Sequence, residues 1–214
     1  MSINKNTLWT VFAYACVLMS PAFFSKLPFI PNTMLANLTA VMYILGAIIL
    51  TVINLKTNKS NTLSEKKDDY GLIVSLGLIA IVGSYFLQMI VVLIEVFVFK
   101  MPIESENTQN IAAIIRNSPF FMLAVMIGGP IMEEFVFRFS IINFLNQKLN
   151  IWVSAIISSF LFAAIHNDGH YLRYGSLGFL FFLVYKKTGS LLTAIIAHAG
   201  MNSFVVILQL VFIK

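Results

Sequence analysis

Carboxylate and imidazole side chains stand inside stretches of this sequence that are otherwise apolar. Glu133 and Glu134 are adjacent, Arg138 follows four residues on, and no other charge lies between Phe120 and Leu145. Two of the three histidines, His166 and His198, also sit in apolar runs, with Phe162 one helical turn before the first and Asn202 one turn after the second. An ionisable group near mid-bilayer costs at least about 2.5–3.5 kcal/mol, so each needs a partner or a wet cavity. Glu134 and Arg138 share a helix face at this spacing and can pair. Glu133 points about 100° away and is left to face something else. A carboxylate and two imidazoles can activate a water, hold a metal ion or relay protons.

The elements that must carry these groups are membrane helices. The chain has 214 residues, 59% hydrophobic and 11% charged, with mean hydropathy +0.88; a soluble domain would carry about 25% charged residues. Seven hydrophobic segments are read at 8–24, 33–55, 71–99, 119–145, 151–167, 171–186 and 189–213. The expected fold is all-α, a polytopic transmembrane helix bundle of about seven helices, in a range of six to eight. The first segment reads as a retained helix rather than a cleaved signal peptide. Segment 171–186 is short and glycine-containing, and is expected to be broken or tilted. The chain reads as one integral domain over 1–214, with a catalytic core at 119–205 and N-terminal membrane helices at 1–118 that carry a polar loop at 56–70. The connection from Lys100 to Pro119 is expected to hold a short amphipathic helix along the interface.

Charge placement sets the orientation. Lys5, Lys56, Lys59, Lys66, Lys67, Lys148, Lys186 and Lys187 fall on one face, and Lys26, Lys100, Arg116, Arg173 and Lys214 on the other. The first set is the larger, so the N-terminus is expected in the cytoplasm and the protein in the cell membrane. The net charge of +5 is spread over short connections, not clustered on a soluble face, which excludes nucleic acid as a partner. Cys16 reads as a small core residue, His170 as an interfacial side chain at the end of a span, and Glu95 as a carboxylate near a helix end in reach of water. Counted along helical rise from the lysine-rich ends, Glu133, His166 and His198 lie at roughly 20, 24 and 12 Å, close enough in depth to meet in one cavity.

Glu133-Glu134-x-x-x-Arg138, Phe162-x-x-x-His166 and His198-x-x-x-Asn202, in this order and each in an apolar segment, resemble the three motifs of the CPBP intramembrane proteases. That family covers type II CAAX prenyl endopeptidases and bacterial relatives tied to bacteriocin processing and self-immunity. The resemblance implies an intramembrane endopeptidase. Glu133 would be the general base, His166 would hold the water or protonate the leaving amine, and His198 with Asn202 would donate to the oxyanion. Glu134, Arg138 and Phe162 would support them. It also leaves two schemes open, one run by these side chains without metal and one with zinc on Glu133, His166 and His198. The implied partners are the lipid bilayer and a membrane-associated peptide or protein. Ile, Asn, Lys and Phe usage of a low-GC bacterial kind favours a peptide precursor, signal-peptide remnant or bacteriocin over a prenylated protein. Two other readings use the same residues: a non-catalytic bacteriocin-immunity or scaffold protein, and a proton-coupled transporter. The latter lacks the paired broken helices in matching halves that such folds show. No feature of the sequence bears on oligomeric state.

Overall fold

Polar residues before each apolar run set where the helices begin. In the computed structural model, which describes residues 1–212, Ser2, Asp69, Ser105 and Asn150 each cap a helix by accepting a backbone N–H from its first turn. Among the described residues the elements are α1 (Ile3–Phe24), α2 (Asn32–Leu55), α3 (Tyr70–Phe97), α4 (Glu106–Asn117), α5 (Pro119–Leu145), α6 (Ile151–Ala164), α7 (Tyr171–Thr188) and α8 (Leu191–Phe212). Five of them, α1, α2, α3, α5 and α8, are long and apolar enough to cross a membrane. The α4 helix is the amphipathic element expected in the 100–119 connection. At 14 residues α6 is about 21 Å long, short of a ~30 Å hydrocarbon core, and it packs along α7. Lys214 and residue 213 of the last expected segment lie outside the described residues.

The irregular helix is α5, not the segment at 171–186. Pi-helical turns run from Ala124 to Gly128 and from Glu134 to Ile141, on either side of a short α-helical stretch. Such turns cluster at functional sites, and in lipid their displaced carbonyls need partners. Side chains supply them: Ser158 donates to the Phe137 carbonyl at 2.6 Å, Asn143 to Phe139 at 2.7 Å and Thr7 to Ser140 at 3.2 Å. The α7 helix is continuous, and its Gly178 serves close packing. A Cβ at Gly178 would come within 3.3 Å of the Arg138 guanidinium and 3.2 Å of the Phe162 ring. The most apolar window of α5 is 56% buried against 22% for α3, so α5 is the central helix and α3 mostly faces lipid. Cys16 is exposed on α1, on the lipid side of a helix whose buried stripe is Asn6, Thr10, Tyr14, Val17 and Ser20; it is not a core residue.

The lysine-rich connections meet at one end of the bundle. The N-terminal amine donates to the Lys56 carbonyl at 2.9 Å, and Gln147 donates to Asn4 at 2.8 Å. Loop 56–69 folds back on the end of α7 and its turn into α8 through Ser64 to Tyr185 (2.7 Å) and Asp68 N–H to the Thr188 carbonyl (3.0 Å), and on the end of α5 through Leu63 N–H to Asn143 (3.2 Å). Gly189 makes that docking possible. Its φ is +60°, and a Cβ there would sit 1.8 Å from the Lys66 carbonyl oxygen. Gly189→Ala is therefore expected to lower stability by at least about 1 kcal/mol and to free the loop. Thermal melting in detergent and faster proteolysis within 56–69 would show it.

At the other end a strap, residues 98–118, crosses the bundle. Glu95 does not reach water: it is fully buried, accepting from His170 Nδ1 at 2.9 Å and from Arg173 Nη2 at 2.8 Å. His170, 1% exposed, is not an interfacial side chain either, and Arg173 is a buried ion-pair partner instead of a free surface charge. The α6–α7 turn bends inward and brings both side chains onto the end of α3. Arg173 also donates to the Ile103 carbonyl at 3.2 Å, which ties the strap to this cluster.

Candidate active site

Depth along the helices left His198 well short of the other two groups, yet Glu133 Oε2 stands 3.6 Å from His198 Nε2. The α8 helix starts beneath the surface: Thr188, Ser190 and Leu191 are all buried under loop 56–69, which lowers the whole helix. His166 comes from the C-terminal end of α6 and lines the same cavity of about 520 Å³ as Glu133, His198 and Asn202, roofed by strap residues such as Ser105, Thr108 and Ile111. The four residues expected to do chemistry thus converge.

Each is oriented by a neighbour. The Glu134 carboxylate accepts from His198 Nδ1–H at 2.7 Å and lies 3.2 Å from Arg138 Nε, so one buried carboxylate binds both the imidazole and the guanidinium. Arg138 has no aligned hydrogen bond there; its guanidinium lies 4.2 Å from the Phe162 ring centre and 5.4 Å from that of Phe181, where ring faces attract a cation. Phe181 also stacks on His198 at 4.7 Å, and Phe162 meets it edge-on at 5.7 Å. His166 Nδ1–H donates to the Phe162 carbonyl at 2.8 Å. Both imidazoles therefore spend Nδ1 on a fixed acceptor and keep Nε2 for other work. Asn202 gives one amide N–H to the Val125 carbonyl, at 3.1 Å, and retains the second. The Glu133 side chain is 16% exposed while that of Glu134 is sealed, which separates the two adjacent carboxylates physically.

Two tyrosines of the N-terminal helices complete the wall. Tyr14 of α1 directs its hydroxyl at Glu133 Oε1, at 3.4 Å, and Tyr43 of α2 lines the cavity beside it. The motif pattern does not reach these residues. A signal did exist: Asn6, Thr10 and Tyr14 recur every four residues in an apolar helix, and a polar stripe in a membrane helix faces the bundle. Among the described residues no three His, Cys, Asp or Glu side chains are grouped to hold a metal ion.

A cavity in a helix bundle, walled by a carboxylate, two oriented imidazoles and an amide, is the layout of a membrane-embedded hydrolase. A family model described as type II CAAX prenyl endopeptidase Rce1-like matches residues 115–204. The chain is 36% identical over 176 residues to the Bacillus subtilis (strain 168) protein named "Putative membrane peptidase YdiL", covering 81% of this chain and 72% of that one. It is 32% identical over 199 residues to the membrane-embedded CAAX protease MroQ of Staphylococcus aureus (strain USA300), covering 86% and 81%. No solved structure gives a significant match. The chain belongs to the CPBP family and is a multi-pass membrane endopeptidase of the CAAX protease-like type.

Proposed function

We propose that this protease cleaves membrane-associated peptides by attack of a water activated by Glu133, in peptide or bacteriocin maturation or in self-immunity. The observation that carries this reading is the unsealed carboxylate of Glu133, facing His198 Nε2 across 3.6 Å at the wall of the cavity. Glu133 takes the proton of the attacking water, and the tetrahedral oxygen develops negative charge. His198, from its Nε2 side, and the second amide N–H of Asn202 donate to that oxygen. As the C–N bond breaks, the proton taken by Glu133 passes through His166 Nε2 to the nitrogen of the leaving amine, which leaves Glu133 and His166 as they began. Glu134, held by Arg138, keeps the His198 ring in register.

The grouping of donors supports a scheme that runs on these side chains alone. Turnover is expected to persist in millimolar 1,10-phenanthroline, measured on purified protein; its complete loss, restored by zinc, would overturn that part. The lysine-rich end supports a cytoplasmic N-terminus in the cell membrane, which places the strap and the mouth of the cavity toward the outer face. The chain segment at 119–205 acts as the catalytic core, with α1 and α2 closing its wall.

The decisive experiment incubates the purified protein, and separately its Glu133→Gln form, with membrane peptides from the same cells, and reads products by mass spectrometry. Products made only by the parent protein identify the scissile bond. Identical product sets from both forms would sink the reading.

A further inference from the structure

We propose that Tyr174 is a positioning residue for His166, and that it ties this imidazole to the strap over the cavity. The inference rests on the proposed role of His166 as the proton donor to the leaving amine. His166 lies beyond the last residue of α6, where only a turn, His166 N–H to the Ala163 carbonyl at 3.2 Å, holds its backbone. Two of its ring contacts, the Phe162 carbonyl at 2.8 Å and the Phe162 ring edge at 4.8 Å, come from a residue four positions earlier and move with the same helix end. The Tyr174 ring on α7 is different. It lies parallel to the imidazole, 3.8 Å between ring centres and 20° between planes, and fixes the ring from a separate element.

Tyr174 is itself held at its far end. Its hydroxyl donates to Asp168 Oδ2 at 2.9 Å and stands 2.9 Å from Ser105 Oγ, while Ser105 donates to the same Asp168 oxygen at 2.5 Å. Ser105 is the buried N-cap of the strap helix α4, accepting Thr108 N–H at 3.2 Å. Asp168 sits in a turn flanked by two left-handed residues, Asn167 at φ +51° and Gly169 at φ +84°. Burial raises the Asp168 pKa, but hydrogen bonds from Ser105, Tyr174 and the His170 backbone outweigh it and hold the carboxyl below its usual range. It therefore accepts as a carboxylate at neutral pH. A ring that merely filled space would have no need of this three-way junction between strap, turn and α7.

The test compares Tyr174→Leu, which removes the stacked ring, with Tyr174→Phe, which keeps the ring and loses only the hydroxyl. His166→Ala is the control. The probe is an internally quenched peptide spanning the bond found by mass spectrometry. Tyr174→Leu is expected to lower kcat by about ten- to a hundredfold with KM within about twofold, because the error is one of orientation. Tyr174→Phe is expected to fall between it and the parent. By NMR, the His166 ring proton keeps its upfield ring-current shift in Tyr174→Phe and loses it in Tyr174→Leu. A rise in KM alone would make Tyr174 a wall of the substrate cavity and overturn the inference. So would normal kcat in Tyr174→Leu beside an inactive His166→Ala, which leaves the proposed function standing. A fully active His166→Ala would overturn both.

Discussion

Glu133→Gln is expected to cut peptide cleavage by about a thousandfold or more while the protein folds and accumulates as before. That loss corresponds to about 4 kcal/mol of barrier. The substitution is isosteric, and an amide oxygen still accepts the Tyr14 hydroxyl that reaches Glu133 Oε1 at 3.4 Å, so the wall of the cavity is preserved. What disappears is the capacity to take a proton. Glu134 cannot substitute for it, because its carboxylate is sealed from the cavity and already occupied by His198 and Arg138. The measurement is turnover of the quenched peptide beside a melting curve. Turnover within a few fold of the parent would refute Glu133 as the base, and a collapsed melting curve would show a structural role instead.

Arg138→Leu is expected to be the most destabilising change near the site. It leaves the Glu134 carboxylate buried without its cation, in a position that is 0% exposed. Removing one partner of a buried ion pair costs about 3–5 kcal/mol, or on the order of 10 °C in melting temperature for a chain of this size. Arg138→Lys is not expected to rescue it, since a lysine cannot place a planar guanidinium between Phe162 and Phe181. The double change Glu134→Gln with Arg138→Met removes both charges and should regain most of the stability. Activity should stay low, because His198 then gives its Nδ1–H to a neutral amide oxygen. Recovery of full activity by the double variant would mean that the Glu134 charge has no part in orienting His198.

The ion pair itself was legible in the sequence, and so was its isolation from Glu133. Residues four apart on a helix share a face and adjacent ones do not, and this local rule held even though α5 passes through pi-helical turns at that point. The three motifs were legible for the same reason, since each spans little more than one helical turn of chain. Length and hydropathy likewise marked the helices and the amphipathic strap.

The roles of Glu95, His170 and Cys16 were not. Each depends on which side of a helix meets another helix, and hydropathy is blind to that in a chain where lipid and core are equally apolar. A lone carboxylate near a helix end reads the same whether water or an arginine from a distant turn receives it. Tertiary structure also decided the wall of the cavity: Tyr14 lies 119 positions from Glu133, and Tyr174 reaches the strap 69 positions away. By itself the sequence determined which side chains are candidates for chemistry and that they lie in or beside apolar helices, because both follow from residue type and short-range spacing. Only the packing of the helices decided that these groups meet, at what depth, and which neighbours hold them, because those contacts join segments whose separation along the chain carries no record of their distance in space.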